Sequence, residues 1–254
     1  MSYLVKPEAD VTVSIVSHGH GAMVWSLADA ILALPDAPRL VVTLNIPEAV
    51  PEALDSRVTL IRNSQPKGFG ENHNAAFKHC GTAFFCVLNP DIELLGNPFP
   101  KLCAQIGPSG AGLCAPLILG PDKTVEDSVR EFITPWRMVL RKLGVVSCSV
   151  VPAIDGPLVY PDWVAGMFML FDTEAYRRIH GFDTAYFMYC EDADICTRLW
   201  QLDLPVMVCP EVQVIHHAQR ASRRSLRHLR WHMGSMLRYI ARYWGRLPRT
   251  MRPL

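Results

Sequence analysis

Two short stretches carry side chains that could do chemistry on an anionic substrate. The first is Asn89-Pro90-Asp91, at the end of an apolar run. A carboxylate beside a side-chain carbonyl is a hard-oxygen donor set suited to Mg²⁺ or Mn²⁺. Such an ion stabilises a diphosphate leaving group as negative charge builds on it. Asn-Pro-Asp is also an ordinary turn sequence. The second stretch is Glu191-Asp192-Ala193-Asp194, which follows the aromatic run Tyr186-Phe187-Met188-Tyr189. Three acids within four residues, next to apolar surface, repel one another, and one pKa rises. That suits a general base taking a proton from a hydroxyl. It equally describes the acidic first turn of a helix, where the dipole favours Asp and Glu. His216-His217 adds imidazole that could serve a metal, a diphosphate or only the surface. His18 and His20 flank Gly19, but no C-x-x-C or H-E-x-x-H pattern supports a zinc site.

These groups need a scaffold. Residues 11–17 form a β-branched run bounded by His18-Gly19-His20-Gly21 and read as a buried strand entering a loop. The spacing predicts a helix over 23–34, stopped by Pro35, and strands over 39–44 and 58–62. Gly68-Phe69-Gly70 breaks the chain before a helix over 71–80, and a strand over 83–88 delivers Asn89-Pro90-Asp91. Residues 96–160 are richer in Pro and Gly and less periodic, with a strand over 112–119 and a short helix near 135–143. An apolar strand over 163–171 follows, then helices over 173–179 and 195–202 and short strands over 205–209 and 212–215. Strands alternating with helices point to an α/β domain with a mostly parallel, Rossmann-like sheet. Ligands then bind beyond the carboxyl ends of the strands, where His18, Asn45 and Asp91 fall.

The chain of 254 residues is half hydrophobic and 19% charged, enough for a sizeable core and against wholesale disorder. No CxxC pair occurs among the eight Cys, which read as buried thiols of a reducing cytoplasm. The first ten residues lack an apolar signal region, and no apolar run is long enough to span a bilayer. The net charge of +1 hides an asymmetry: residues 220–254 hold ten Arg and neither Lys nor acid, so the rest is acidic on balance. Residues 225–244 have helical spacing, with Leu226, Leu229, Met233, Met236, Leu237 and Ile240 on one face and Arg on the other. Such a helix reads as an element lying on the inner face of the cell membrane, or as one packed on the catalytic body with solvated Arg outside. The acidic body speaks against nucleic acid.

Taken in order, Val13-Ser-Ile-Val-Ser17, Lys67-Gly-Phe-Gly-Glu-Asn-His-Asn74, Leu88-Asn-Pro-Asp91, Trp163-Val-Ala-Gly166, Gly181-Phe-Asp183, Phe187 to Asp194 and Val214-Ile-His216 resemble family 2 glycosyltransferases of the GT-A fold, especially the bacterial rhamnosyltransferase-like branch. The resemblance is weakest over 96–160. It implies a catalytic domain over 1–219, with a nucleotide-binding half over about 1–95 and an acceptor half over about 96–219, followed by the basic helical extension 220–254. It implies metal ligation by Asp91 and His216, and Asp192 as the base with Glu191 beside it. It places Ser17, His18, Asn45, Lys67, Gly68, Phe69, Gly70, Asn74 and Asn89 on the nucleotide sugar, and Trp163, Gly166 and Asp194 on the acceptor side. The implied activity is metal-dependent inverting transfer, with Mg²⁺ or Mn²⁺, from a dTDP- or UDP-sugar to a glycan or polyprenyl-diphosphate-linked hydroxyl. Departures from the pattern leave two alternatives: a non-catalytic binding protein with a degenerate fold, or a sugar nucleotidyltransferase. Asn45 stands where many relatives carry Asp, His18-Gly19 replaces an aromatic-Asn pair, and His180 replaces a glycine.

Overall fold

The computed structural model describes residues 10–145, 149–217 and 226–250. Residues 220–225 and 251–254 of the expected basic extension, and Cys148, lie outside the described residues. An eight-stranded sheet runs through the molecule in the order β3-β2-β1-β4-β9-β6-β10-β5. Its first half is parallel, as the alternation of strands and helices predicts. β1 (Val11–Ser17) pairs in parallel with β2 (Arg39–Leu44) and β4 (Phe84–Leu88), and β2 with β3 (Val58–Arg62). β1 and β4 are buried along almost their whole length, as the β-branched and aromatic runs require. Helices α1 (Ala22–Leu32) and α2 (Phe69–Phe77) follow β1 and β3.

The second half departs from the sequence reading in several places. β9 (Phe168–Asp172) enters antiparallel between β4 and β6 (Leu113–Leu119). The single strand expected over 163–171 is broken: β8 (Trp163–Val164) leaves the main sheet to pair with β7 (Val129–Arg130), and a tight turn with Met167 N–H on Ala165 C=O separates the two pieces. The two short strands expected over 205–215 are one strand, β10 (Val206–His216), with its register shifted between Cys209 and Gln213. β5 (Ile92–Leu94) pairs with the end of β10. A helix also stands inside the stretch read as irregular. α3 (Phe99–Ser109) tolerates Pro100 in its first turn, where no N–H is needed, and ends at Gly110 in the left-handed region (φ 65°). α4 (Pro135–Lys142) and α5 (Thr173–Arg178) begin on side-chain caps from Thr134 and Asp172.

α6 (Glu191–Gln201) starts earlier than expected, so the whole acidic cluster is its first turn. α7 (Leu226–Tyr243) lies against it, but not by the expected face. Leu229, Met233 and Leu237 are 56%, 44% and 62% exposed, while Ser235, Tyr239 and Tyr243 are buried. Hydroxyl groups decide the phase. Tyr239 bonds Thr197 at 2.7 Å, Tyr243 donates to Asp194 at 2.7 Å, and Ser235 donates to the Met188 carbonyl at 2.8 Å.

His180 follows α5 with φ 58°, its N–H on Arg177 C=O, and Gly181 N–H reaches Tyr176 C=O. This is a left-handed helix stop, where glycine is the ordinary residue. His180 is exposed there and carries the strain of a side chain in that conformation. His180→Gly should therefore raise stability by about 0.5–1 kcal/mol, read as a higher denaturant midpoint at unchanged slope.

Candidate active site

Two cavities lie at the carboxyl end of the sheet. The first, of about 690 Å³, runs past the ends of β1, β2 and β4. His18, Asn45, Lys67, Phe69 and Asn89-Pro90-Asp91 line it, as the sequence suggests, and Asn72, His73, Phe187, His228 and Trp231 complete it. The second, of about 570 Å³, is lined by Glu191, Asp192, Trp163 and Arg130, with one wall from α4 and another from His232 and Met236 of α7. Gly166 stands between them. A Cβ built there would lie 3.2 Å from the Phe69 ring, which lines the first cavity, and 3.7 Å from Cβ of Asp192, which lines the second.

At the far end of the first cavity, Asn45 is fully engaged by the protein. Its side chain exchanges two bonds with the Lys67 backbone, at 2.8 and 2.9 Å, accepts from Asn63 at 2.8 Å and meets His18 Nδ1 at 3.1 Å. It shapes the loop before α2 rather than offering a free group. Ser17 is buried and donates to Glu48 at 2.8 Å, and the N–H groups of Gly19 and Gly21 each bond the same carboxylate at 2.9 Å. Burial works to raise the Glu48 carboxyl, but these donors outweigh it and hold it below its ordinary value. Nothing in the sequence pattern singled out Glu48.

Gly68 and Gly70 are contact residues of the fold. A Cβ at Gly68 would sit 2.7 Å from the Phe187 carbonyl, and one at Gly70 2.5 Å from Phe182 Cβ. Asn74 turns away from the cavity: its carbonyl oxygen accepts from Tyr176 at 2.7 Å and Phe182 N–H at 2.9 Å, and its amide donates to Phe182 C=O at 2.8 Å. The neighbour that does face the cavity is His73, bonded to Ser14 at 2.8 Å and lowered to about 3 by burial, hence neutral.

Asp91 and His216 come together, with Oδ2 and Nε2 3.3 Å apart. The other Asp91 oxygen is buried without a hydrogen-bond partner. His216 Nδ1 meets Glu126 at 2.7 Å, which fixes the ring so that Nε2 faces Asp91. A carboxylate with an orphaned oxygen, beside an imidazole held by a second carboxylate, fits a divalent cation. No group of three or more His, Cys, Asp or Glu that could hold a metal occurs among the described residues. Two protein ligands are nevertheless enough where diphosphate oxygens and water complete the shell. His217 faces elsewhere, pairing with Glu93 at 2.7 Å.

Asp192 projects from the first turn of α6 into the second cavity. The Gly166 N–H reaches one of its oxygens at 3.2 Å and the Ala193 N–H the other at 2.9 Å. The chain enters α6 through Tyr189 and Cys190, both left-handed (φ 73° and 62°), an unfavourable pair for side-chain-bearing residues. Burial raises the Asp192 carboxyl despite the N–H bonds and the nearby Arg130. Glu191 is 6% exposed with one oxygen unpartnered, and burial with the Asp192 charge pushes it up to about 8. Trp163 donates to Glu131 C=O at 2.8 Å with Arg130 over its ring at 5.2 Å, forming one side of this cavity. Asp194 does not line it. It is fully buried and holds Arg198 and Tyr243, both at 2.7 Å, so its role here is to fasten α7.

Known proteins resemble this chain in sequence and in fold. The chain is 28% identical over 247 residues to rhamnosyltransferase WbbL of Escherichia coli, covering 91% of this chain and 93% of that protein. The fold overlays GalNAc-T7 solved with UDP, GalNAc and Mn²⁺ (TM-score 0.69, 15% identity, 94% of this chain and 48% of that one). It also overlays a mannosyltransferase from Pyrobaculum calidifontis solved with GDP-Man and Mn²⁺ (TM-score 0.61, 15% identity, 92% and 64%). The chain is a glycosyltransferase of the GT-A fold. Over residues 147–221 the transferase also matches a family model described as the N-terminal domain of galactosyltransferase. The N-acetylglucosaminyl-diphospho-decaprenol L-rhamnosyltransferase of Mycobacterium tuberculosis is 28% identical over 174 residues, 61% of this transferase and 54% of that protein. The resemblance to the rhamnosyltransferase-like branch of family 2 thus holds, and it extends along nearly the whole chain of the transferase.

Two expectations follow for the transferase. Glu126→Gln should weaken Mn²⁺ affinity about 10- to 100-fold, measured by calorimetric titration in the presence of nucleoside diphosphate, with the fold unchanged. The second concerns pH. Because Glu191 is raised from 4.5 to about 8 on folding, the folded chain keeps a proton that the unfolded chain releases. Its contribution to stability is complete below about 4.5 and is lost as pH rises through about 8. Glu191→Gln should therefore flatten the fall in melting temperature of the metal-free protein between about pH 4.5 and pH 8.

Proposed function

We propose that this transferase moves a sugar, with inversion, from a nucleoside-diphosphate donor to a hydroxyl of a lipid-linked glycan acceptor in cell-surface polysaccharide synthesis. dTDP-rhamnose is the favoured donor, followed by a UDP-sugar. The observation that carries the reading is the partition at Gly166. Phe69, from the cavity that ends in Asp91, and Asp192, from the other cavity, pack against one glycine, whose N–H itself orients the Asp192 carboxylate. A donor in the first and an acceptor in the second would bring anomeric carbon and hydroxyl together there. The rhamnosyltransferase relatives, one of them acting on a diphospho-decaprenol, support both the sugar and the acceptor class. Residues up to about 95 would serve the donor and residues 96–219 the acceptor, with the basic extension after them.

In this mechanism Asp192 takes the proton of the acceptor hydroxyl as its oxygen attacks the anomeric carbon. The bond from that carbon to the diphosphate oxygen breaks on the opposite face, and its electron pair leaves with the phosphate. A Mg²⁺ or Mn²⁺ ion at Asp91 and His216 would supply positive charge against that phosphate. Glu191, kept protonated by burial, leaves the negative charge of the pair on Asp192. The Gly166 and Ala193 N–H groups hold that carboxylate in one orientation. Neither can accept the proton in its place.

Asp192→Asn should lower kcat at least about 100-fold with donor binding retained. Asp91→Asn should lower it comparably through loss of Mn²⁺ affinity, and both variants should melt cooperatively near the wild-type temperature. Near-normal turnover in either variant would sink its assigned role. The donor itself is checked by stabilisation: the true nucleotide sugar plus Mn²⁺ raises the melting temperature, and an unrelated one does not.

A further inference from the structure

The apolar residues that α7 does not bury line up. Leu229, Met233 and Leu237 recur every four residues along the helix, and Trp244, seven residues further on and just past its end, is 69% exposed. The short helix α4 shows the same habit. Trp136, Val139 and Leu143 are 69%, 50% and 69% exposed, at the i, i+3, i+7 spacing of one helix face. The two helices are neighbours. Trp136 and Trp244 line a common groove, and the Asp192 cavity is walled by Arg137 and Met138 of α4 and by His232 and Met236 of α7.

Charge identifies what covers this ridge. Residues 132–154 and 226–254 contain no Asp or Glu. Arg141 on α4 and Arg230, Arg238, Arg246 and Arg249 on or after α7 are exposed. A second copy meeting this face about a two-fold axis would bring Arg against Arg. An anionic lipid surface offers what the face lacks: acyl chains for the Trp and Leu side chains and phosphates for the Arg. No helix among the described residues is long and apolar enough to cross a membrane, so the contact is one of lying on the surface.

We infer that α4 and α7 together form a docking ridge for an anionic phospholipid surface, with Trp136 and Trp244 as its apolar anchors. The lipid contact is therefore not the property of the C-terminal segment alone. The Asp192 cavity opens between the two helices, so docking would present that cavity to the lipid headgroups. This last consequence rests on the lipid-linked acceptor proposed above, whereas the ridge itself does not.

The test is co-sedimentation of the full chain with vesicles of phosphatidylcholine alone and of phosphatidylcholine mixed with phosphatidylglycerol. The expected result is binding to the mixed vesicles at least about tenfold tighter than to the neutral ones, weakened by salt. The double variant Trp136→Ser, Trp244→Ser should lose at least about tenfold of that affinity, and so should a second pair on other turns, Leu143→Ser with Leu237→Ser. Unchanged melting and unchanged nucleoside-diphosphate binding with Mn²⁺ certify the fold of each variant. Equal binding to both vesicle types, or full binding by both folded variants, overturns the proposal. So does a dimer in solution that the same variants dissociate, since that assigns the ridge to a second copy. No sugar donor enters the assay, so a failed transfer reaction and a failed docking are told apart.

Discussion

One buried carboxylate sets the shape of the site. Asp194 has no solvent contact and gathers Tyr243 and the Arg198 guanidinium at 2.7 Å, with Arg242 at 3.3 Å. A buried charge persists only when such partners satisfy it, and removing one leaves the others uncompensated. Here the partners come from α6 itself and from α7, so solvation of one acid fixes a helix that follows it by dozens of residues. α7 is in turn a wall of both cavities, through Trp231 and His228 on one side and His232 and Met236 on the other. Tyr189, just before α6, repeats the tie with a 2.9 Å bond to His228. The first turn of α6 thus does two jobs with residues two apart: Asp192 looks into a cavity, and Asp194 looks back at the element that closes it.

The same turn explains why two acids can sit together at Glu191 and Asp192. The helix N-terminus offers N–H groups, and Ala193 and Gly166 direct theirs to Asp192. Glu191 receives no partner for one of its oxygens. The environment therefore divides the pair into a carboxylate that is hydrogen-bonded and a carboxyl that holds its proton. The left-handed backbone at Tyr189 and Cys190 is what turns the chain sharply enough to place the pair there.

Much of the cavity that ends in Asp91 was legible in the sequence because it depends on local order. β-branched runs mark β1 and β4, and residues just after a parallel strand end must face the ligand. Hence His18, Asn89 and Asp91 fall where expected. The errors have one physical origin: a polar side chain's partner is chosen by tertiary contact. Asn74 reads as part of a nucleotide loop but spends every bond on Tyr176 and Phe182, roughly a hundred positions away in the chain. Asp194 looked like its neighbours in the acidic cluster and is the one that faces inward. The buried face of α7 could not be found from hydrophobicity, since the residues that pack are Ser235, Tyr239 and Tyr243, chosen by their hydroxyl groups. Glu126 and Glu48 carried no motif at all. Each becomes meaningful only when the fold brings it to His216 or to the loop after β1.

Glu48 also changes how the departure at Asn45 reads. A neutral amide at the end of β2 looks like the loss of an acid. In the fold, however, Asn45 bridges the Lys67 backbone with both donor and acceptor atoms, a pairing that a carboxylate could not make because it has no N–H to give. An acid does stand nearby, three residues on, where Gly19, Gly21 and Ser17 converge on Glu48. Those backbone donors would otherwise form an open concavity for an anion at the end of β1. With Glu48 in it, that concavity is filled from within, so the acid missing from the end of β2 is supplied to the β1 loop by a neighbouring residue.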